Sequence, residues 1–220
     1  MAENENNNLF DQDRLIWRII NRVWDVLLLS AIFTVTCIPV ITIGASATGL
    51  YYTFLKMVRG EEAPALKSYW KSFRENFVQA TILWLIMLLL GAALAGSVYF
   101  YYQQNTTPAT VVMAFFAGLV LVWVLAVIYL FPLLSRFANK TSTMLFMSIF
   151  MPFKNVGWSI LLLAMVLITV FLAWYVIPFI FFAYGVYAYC SCYIFVRVFK
   201  PAEDAIKKTL KQSEEEHDEV

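Results

Sequence analysis

The sequence has few of the residues on which metal sites and redox centres depend. It contains one histidine, His217, and three cysteines in 220 residues. Cys37, Cys190 and Cys192 all lie in apolar runs, and the last two would point to different faces of a helix. Neither a disulfide framework of the secreted type nor a zinc site fits this distribution. We therefore predict no metal and no cofactor.

Motifs of catalysis are also missing. The chain has no glycine-rich phosphate loop, no HExxH, no GxSxG and no acidic pair within an apolar segment. Each of these patterns brings together groups that a reaction needs, such as amides for a phosphate or a nucleophile with its base. The sequence therefore predicts no catalytic residues and a protein that is not an enzyme.

Charge is the third scarce feature. Charged residues make up 14% of the chain and apolar residues 61%, whereas soluble domains are about a quarter charged and about half apolar. The composition indicates a membrane protein, and the net charge of +1 argues against nucleic-acid binding. The N-terminal "MAENENNNLF" has no basic region before an apolar core, so we expect no cleaved signal peptide.

Long apolar runs are what the sequence has in abundance. A membrane-crossing helix needs about 20 apolar residues. The run 156–198 is too long for one crossing and is divided at Pro178, since a proline disfavours helix at the residue before it. The clear candidates for crossings are about 21–38, 77–102, 109–135, 156–174 and 177–198.

The stretch from Ile41 to Val58 is ambiguous, because it could be part of a broken helix, a re-entrant loop or a complete crossing after a turn at Pro39. Lys and Arg collect on the cytoplasmic side of membrane proteins. If 41–58 crosses, all sixteen Lys and Arg fall on one side. If it does not cross, Arg14–Arg22 would lie opposite the basic cluster of 56–74. We therefore predict an all-α polytopic bundle of about six crossings, with both termini cytoplasmic.

This arrangement implies a membrane domain over 1–199, a charged cytoplasmic tail over 200–220 with a disordered acidic end, and two short interfacial helices. The connections 60–76 and 136–154 would carry those helices. The apolar spacing that predicts the first is that of Leu66, Tyr69, Trp70 and Phe73. The outer ends of the crossings would be marked by the aromatic residues Tyr99, Tyr101, Tyr102, Trp174 and Tyr175.

A weak internal repeat accompanies the two connections. "YTFLKMVR" (Tyr52–Arg59) resembles "YLFPLLSR" (Tyr129–Arg136), and Phe73-Arg74 correspond to Phe153-Lys154. Parallel repeats occur in transporters, but membrane helices also come to share basic residues by convergence. Both readings stay open.

Asp25 is the one acidic residue inside an apolar run. Ionisable residues within membranes are costly and frequently functional. Arg22 lies three residues earlier, close enough to pair on a helix face. We predict an interfacial ion pair that serves orientation and anchoring, with gating or partner binding as the alternative.

Small residues recur at four-residue spacing in two places, "GASATG" and "GAALAG". Such spacing lets membrane helices approach closely. Helix packing is the expected use, and a cleft for a substrate is the alternative. The candidate residues are Gly44, Ala45, Thr48, Gly49, Gly91, Ala92, Ala95 and Gly96.

The last apolar run contains several tyrosines. Tyr184 and Tyr187 share one helix face, and Tyr189 and Tyr193 share another. Because buried hydroxyl groups need hydrogen-bond partners, one of these faces is predicted to look into the bundle as an aromatic lining.

Three segments of the chain, "IPVITIGASATGLYYTFLKMVRGEE", "SFRENFVQATILWLI" and "YLFPLLSRF", resemble the YesL family of bacterial integral membrane proteins, whose function is undefined. The resemblance runs from about Leu9 to Phe199. It implies a multi-pass protein of the bacterial plasma membrane, associated with polysaccharide use and sugar import. It carries over no site residues.

Three functions follow as expectations. The first is an accessory component of carbohydrate (oligosaccharide) uptake. The others are a small-solute transporter or channel in its own right, and a membrane signalling or scaffold protein. The expected partners are the lipid bilayer and a sugar ABC importer or another membrane protein, with a homo-oligomer also open and nucleic acid excluded.

Overall fold

The computed structural model describes the backbone of residues 2–61, 63–104, 106–137, 140–175 and 180–218. Side chains are described for Trp17 and for 20–61, 63–104, 106–137, 140–174 and 182–201. Every regular element in these ranges is helical, and no strand occurs in them. The all-α prediction is confirmed. The elements are α1 (Ala2–Thr36), a 3-10 turn (Val40–Thr42), α2 (Ile43–Val58), α3 (Ala65–Glu75), α4 (Phe77–Gln103), α5 (Thr107–Arg136), α6 (Thr141–Lys154), α7 (Val156–Tyr175) and α8 (Ile180–Asp218).

Four helices in the described ranges are long and apolar enough to cross a membrane. They are α4, α5, α7 and the Phe182–Pro201 part of α8. The predicted crossing 41–58, in α2, is not among these four, and α1 has an unbroken run of described side chains only over 20–36. α2 has 16 residues, about 24 Å at 1.5 Å per residue, whereas the hydrocarbon core is about 30 Å thick.

α2 is the central helix of the bundle. It contacts α1, α3, α4, α5 and α8, and every residue from Gly44 to Leu55 except Tyr52 is buried. Its small residues let the neighbouring helices approach, and its hydroxyl groups bond back to the helix: Thr48 donates to the Gly44 carbonyl at 2.8 Å and Thr53 to the Gly49 carbonyl at 3.0 Å. A helix that is surrounded on all sides can bury such residues at no polar cost.

The turn between α1 and α2 lies beside the first third of α4. The indole of Trp84 donates to the Val40 carbonyl at 2.9 Å, and a Cβ at Gly44 would lie 2.5 Å from the Ala80 carbonyl oxygen. Gly44 lies beside Ala80, and Val40, four residues earlier, lies beside Trp84, four residues later in α4. α2 and α4 therefore run in opposite directions. The 19 residues of α4 that follow Trp84 extend about 28 Å beyond the turn.

Side chains complete the hydrogen bonding of this turn. The Thr42 hydroxyl lies 2.5 Å from the Thr36 carbonyl oxygen and 2.7 Å from that of Pro39. The Ser46 hydroxyl also donates to Thr36, at 3.3 Å. The apolar side chains of the turn point outward, since Ile38 is 77% exposed. The turn therefore presents apolar surface, while its Thr36, Pro39 and Val40 carbonyl groups have partners inside the protein.

α3 folds back along α2. The Tyr69 ring and carbonyl would lie 3.1–3.3 Å from a Cβ at Gly49, and the Tyr69 hydroxyl shares a 2.7 Å hydrogen bond with Thr36. The helix buries Tyr69 with Ser68 and Ser72, and leaves Leu66 exposed. The predicted face of Leu66 and Tyr69 is therefore divided, because the smooth surface of α2 accepts the small serines better than it accepts Leu66.

α6, like α3, leaves large apolar side chains exposed. It buries Met144, Ser148 and Pro152 against α5 and exposes the larger rings of Phe150 and Phe153. The two predicted short helices are thus present as α3 and α6, and each buries serine together with one large side chain, Tyr69 in α3 and Met144 in α6.

The internal repeat corresponds to two sets of helices in the same order, α2–α3–α4 and α5–α6–α7. An asparagine lies at the junction of the second and third helices of each set, and its side-chain amide donates to the carbonyl four residues earlier. Asn76 Nδ2 donates to the Ser72 carbonyl at 3.1 Å and Asn155 Nδ2 to the Met151 carbonyl at 3.2 Å. The likeness therefore extends from sequence to local geometry.

The acidic end of the chain, predicted to be disordered, is helical as far as Asp218. α8 continues through Pro201 to Asp218. Opposite charges four residues apart, Glu203 with Lys207 and Asp204 with Lys208, favour helix in this segment. Pro178, at which the long apolar run was divided, lies outside the described residues, and helices flank it as α7 and α8.

Candidate functional site

The first small-residue group lies entirely inside the bundle. Gly44 is in contact with α4, and Gly49 with α3, as described above. Ala45 and Thr48 are fully buried between them. This group serves helix packing, because no space for a substrate adjoins its two glycines.

The second group is divided by the structure. A Cβ at Gly91 would collide with the Trp123 ring of α5, whereas one at Gly96 would meet nothing within 4 Å. Ala92 and Ala95 are exposed with Gly96 on the outside of α4. Only Gly91 therefore makes the close helix contact expected for this group.

Arg22 and Asp25 do not form the predicted ion pair, since neither takes part in a contact of 4.0 Å or less such as the Lys56–Glu61 pair. The three-residue spacing of Arg22 and Asp25 permits pairing on a helix face, but Arg22 lies on the side of α1 that faces α8. Arg22 lines an open groove between α1 and α8 that also includes Tyr189 and Tyr193.

The four tyrosines of α8 separate into two pairs with different surroundings. Tyr189 and Tyr193 bond to one another, with 3.1 Å between their hydroxyl oxygens, in the open groove. Tyr184 and Tyr187 face the interior, where Tyr184 stacks on Phe33 with 4.5 Å between ring centroids. The interior pair is the one that can line a site.

The interior tyrosines line a half-open cavity of about 550 Å³ between α1, α2, α4, α5, α7 and α8. Its described lining contains no charged side chain and is almost wholly apolar. The other residues that line the cavity are Phe33, Cys37, Ile43, Ala47, Tyr51, Trp84, Trp123, Val124, Val127, Ile128, Phe131, Val166, Thr169, Val170, Ala173 and Ala183.

Polar groups in this cavity are few, and most have partners. The Trp123 indole donates to the Met87 carbonyl at 2.9 Å, and the Thr169 hydroxyl to the Met165 carbonyl at 2.8 Å. The Ser191 hydroxyl lies 3.5 Å from the Tyr51 hydroxyl. The Tyr187 hydroxyl is buried, and the Tyr51 hydroxyl lies close enough to interact with it.

Three residues that matter to this site were not singled out from the sequence. Tyr51 and Trp84 line the cavity, and Gly185 lets α8 approach Ser30 of α1 so closely that any Cβ would collide with the serine side chain. A signal for Gly185 was available, because it lies between the two faces of tyrosines on a helix predicted to pack.

The described residues contain no group of three or more His, Cys, Asp or Glu side chains that could hold a metal ion. The cavity therefore offers shape, apolar surface and hydroxyl groups. These features suit binding.

Comparison with known proteins gives a partial match. A family model described as "Protein of unknown function, DUF624" matches residues 25–98. The matched segment includes the turn between α1 and α2, all of α2 and α3, and most of α4. No curated protein and no solved structure matches the chain.

Proposed function

We propose that the protein is a multi-pass protein of the bacterial plasma membrane in which α4, α5, α7 and α8 cross the bilayer. In this proposal α1 and α2 form a re-entrant hairpin whose tip is the turn around Val40. The position of that tip supports it, because about 28 Å of α4 continues beyond Trp84. A tip at this depth lies in the inner leaflet when α4 spans a hydrocarbon core about 30 Å thick.

The chemistry of the tip supports the same arrangement. Irregular backbone is tolerated at membrane depth only where its polar groups are satisfied within the protein. The carbonyls of Thr36, Pro39 and Val40 all have side-chain partners, and the exposed Ile38 and Ile41 suit contact with lipid.

Charge placement agrees with a re-entrant hairpin as well as with six crossings. In both arrangements all sixteen Lys and Arg and both termini lie on one side, which the positive-inside rule makes cytoplasmic. The arrangement with six crossings is the second candidate, and it requires the tip at Val40 to reach the outer surface.

Cysteine labelling of intact cells distinguishes the two. All three native cysteines are replaced by alanine, and single cysteines are introduced as Val40→Cys or Gln104→Cys. A membrane-impermeant maleimide added outside should label Gln104→Cys, in the turn between α4 and α5, and should leave Val40→Cys unlabelled until the cells are opened and the protein is denatured. Equal labelling of both in intact cells would refute the re-entrant hairpin.

For the activity, we infer an accessory, non-enzymatic membrane component of carbohydrate uptake. The observation that carries the accessory role is the interior: the described lining of its cavity holds no charged side chain and few hydroxyl groups. A path for sugars needs many hydrogen-bonding groups, so independent sugar transport is disfavoured. The link to carbohydrate rests on the resemblance to the YesL family.

The accessory role predicts a partner in the membrane. Crosslinking in cells grown on an oligosaccharide should recover a sugar ABC importer with this protein, and deletion should impair growth on that oligosaccharide. Normal growth across a panel of glycans, with no membrane partner recovered, would overturn the proposal.

Two other functions, a small-solute transporter or channel and a signalling or scaffold protein, would give different results. Flux of a small solute into liposomes that contain only this protein would favour a transporter or channel. Recovery of a membrane partner that is not part of an importer, with unimpaired uptake, would favour a signalling or scaffold protein.

A further inference from the structure

We propose that the open groove between α1 and α8 binds an anionic phospholipid of the inner leaflet, whose phosphate lies at Arg22 and Tyr193. The groove has a volume of about 620 Å³. The proposal rests on the cytoplasmic position of the basic end of α8, which both arrangements above share. It does not depend on a role in carbohydrate uptake.

The packing of the two helices places the polar groups of the groove at its cytoplasmic end. Gly185 of α8 lies against Ser30 of α1, and the two helices run in opposite directions. Eight residues further toward the cytoplasm, about 12 Å along each helix, are Tyr193 in α8 and Arg22 in α1. Arg197 is exposed one turn beyond Tyr193. Arg22 and Tyr193 are therefore level with one another near the head groups.

Arg22 supplies a positive charge to the groove. Among the described side chains, no carboxylate lies within 4.0 Å of it, and its guanidinium is within electrostatic reach of the Tyr193 hydroxyl. Arg197 is engaged differently, since its guanidinium lies over the Trp158 ring, 5.8 Å from the centroid. Arginine binds phosphate strongly through paired hydrogen bonds. Arg22 is therefore the cation of this groove that suits a phosphate.

The tyrosine pair adds a hydrogen-bond donor. The hydroxyl oxygens of Tyr189 and Tyr193 are 3.1 Å apart, and a hydrogen bond between them uses only one of their two protons. Tyr193 is 50% exposed, so a ligand in the groove can reach its hydroxyl. The second proton can be donated to a phosphate oxygen that also contacts Arg22.

The walls of the groove are apolar. They consist of Val23, Val26, Leu27 and Val186. Val186 lies seven residues before Tyr193, about 10 Å nearer the centre of the bilayer. The groove therefore changes from polar at the cytoplasmic end to apolar at the inner end, which is the polarity of a phospholipid with its acyl chain pointing into the membrane.

The charge of the groove favours an anionic head group over a zwitterionic one. Its described lining has one basic side chain and no acidic one, and Asp25 does not belong to it. The ammonium group of a zwitterionic lipid would therefore find no partner in the lining, whereas a lipid with net negative charge keeps its full attraction to Arg22. Basic pockets between helices on the cytoplasmic side are suited to anionic lipids for this reason.

The experiment measures lipid binding to the full chain in an uncharged detergent by native mass spectrometry. Palmitoyl-oleoyl phosphatidylglycerol and phosphatidylcholine with the same chains are offered at equal concentrations. The wild-type protein should bind phosphatidylglycerol about fivefold more tightly, the preference expected from one arginine near a negative charge. In Arg22→Gln this ratio should fall to about one. Arg74→Gln removes an exposed charge from α3, outside the groove, and should keep the wild-type ratio.

Further variants test the hydroxyl groups and the walls. Tyr189→Phe combined with Tyr193→Phe should weaken binding of both lipids about fivefold, because both carry the phosphate that accepts the hydrogen bond. Val186→Phe, which adds a ring in the groove, should reduce the binding of both lipids. Val111→Phe adds the same ring on the 68% exposed Val111 position of α5 and should not reduce it.

A soluble phosphate is the remaining alternative. Glycerol 3-phosphate has the phosphate without acyl chains, and a hundredfold excess should not displace the lipid. Displacement would identify a water-soluble ligand and overturn the lipid. Equal wild-type affinity for the two lipids, or the same ratio in Arg22→Gln and Arg74→Gln, would overturn the role of Arg22, and undiminished binding in Val186→Phe would overturn the site. Because binding is measured in detergent, these results do not depend on the topology or on uptake.

Discussion

The contact between Gly185 of α8 and Ser30 of α1 gives a sharp test of the helix packing. Both residues are buried. A Cβ at position 185 would overlap the Ser30 hydroxyl and lie 2.7 Å from the Ser30 Cβ. An ordinary contact needs at least 3.4 Å. The distance between the methyl carbon of the Gly185→Ala variant and the Ser30 Cβ must therefore increase from 2.7 to 3.4 Å, so the two helices must separate by about 0.7 Å at this point. Overpacking of this kind costs about 1–3 kcal/mol of unfolding free energy.

Gly96→Ala is the matched control for this substitution. It is the same change within a helix, and a Cβ at Gly96 meets nothing within 4 Å. Because alanine favours helix by up to about 1 kcal/mol over glycine, this variant should be unchanged or slightly stabilised. The difference between the two variants isolates the contact with Ser30.

Ser30→Gly should rescue the first variant. Removing the serine side chain leaves room for a methyl group from α8, so Gly185→Ala should cost at least about 1 kcal/mol less in the Ser30→Gly background. The free energy of unfolding is measured by SDS titration of the purified protein in mixed micelles. Equal effects of Gly185→Ala and Gly96→Ala, or no rescue by Ser30→Gly, would refute the close approach of α1 and α8.

Three further outcomes are expected. Tyr129→Phe removes the 2.9 Å hydrogen bond to the Ser159 hydroxyl and should lower the unfolding free energy by about 0.5–1.5 kcal/mol in the same titration. Trp84→Phe leaves the Val40 carbonyl without its indole partner and should increase maleimide labelling of Val40→Cys in opened membranes. Burial raises the pKa of Tyr69 above its ordinary 10.0, so its stabilising contribution is complete below pH 10 and is lost as pH rises through the raised value. The free energy of unfolding should therefore fall less steeply above pH 10 in Tyr69→Phe than in the wild-type protein. An equal slope in the two proteins would contradict the burial of Tyr69.

Apolar length and helical spacing predicted a large part of this fold. Runs of about 20 apolar residues predicted α4, α5 and α7, because a helix that faces lipid must be apolar over its whole length. The 3.6-residue period separated Tyr184 and Tyr187 from Tyr189 and Tyr193, since helix geometry alone decides which side chains share a face.

The contacts of the short helices could not be predicted in the same way. Apolar spacing in α3 favoured a face that includes Leu66 and Tyr69, but the helix buries Tyr69 together with Ser68 and Ser72 and leaves Leu66 exposed. In a membrane, apolar side chains gain little by leaving lipid, and small side chains gain by close packing. Hydrophobic periodicity therefore does not decide which face turns inward.

Charge counting was equally unable to separate a crossing from a re-entrant hairpin. Both keep Arg22 and Lys56 on the same side, and the two differ only in the depth of the turn between them. That depth depends on contacts far apart in sequence, above all Trp84 with Val40. No local pattern around Val40 specifies a partner 44 residues later.

The hydrogen bond from Trp84 to the turn has a consequence for the order of biosynthesis. Residues 36–42 leave the ribosome about 44 residues of synthesis ahead of Trp84, and until Trp84 emerges the Val40 carbonyl lacks its indole donor. The hairpin should therefore wait at the membrane surface and enter the lipid only when α4 is inserted beside it. A chain truncated before Phe77 and released from the ribosome should have α1 and α2 at the interface, whereas a chain that includes all of α4 should have the same residues embedded.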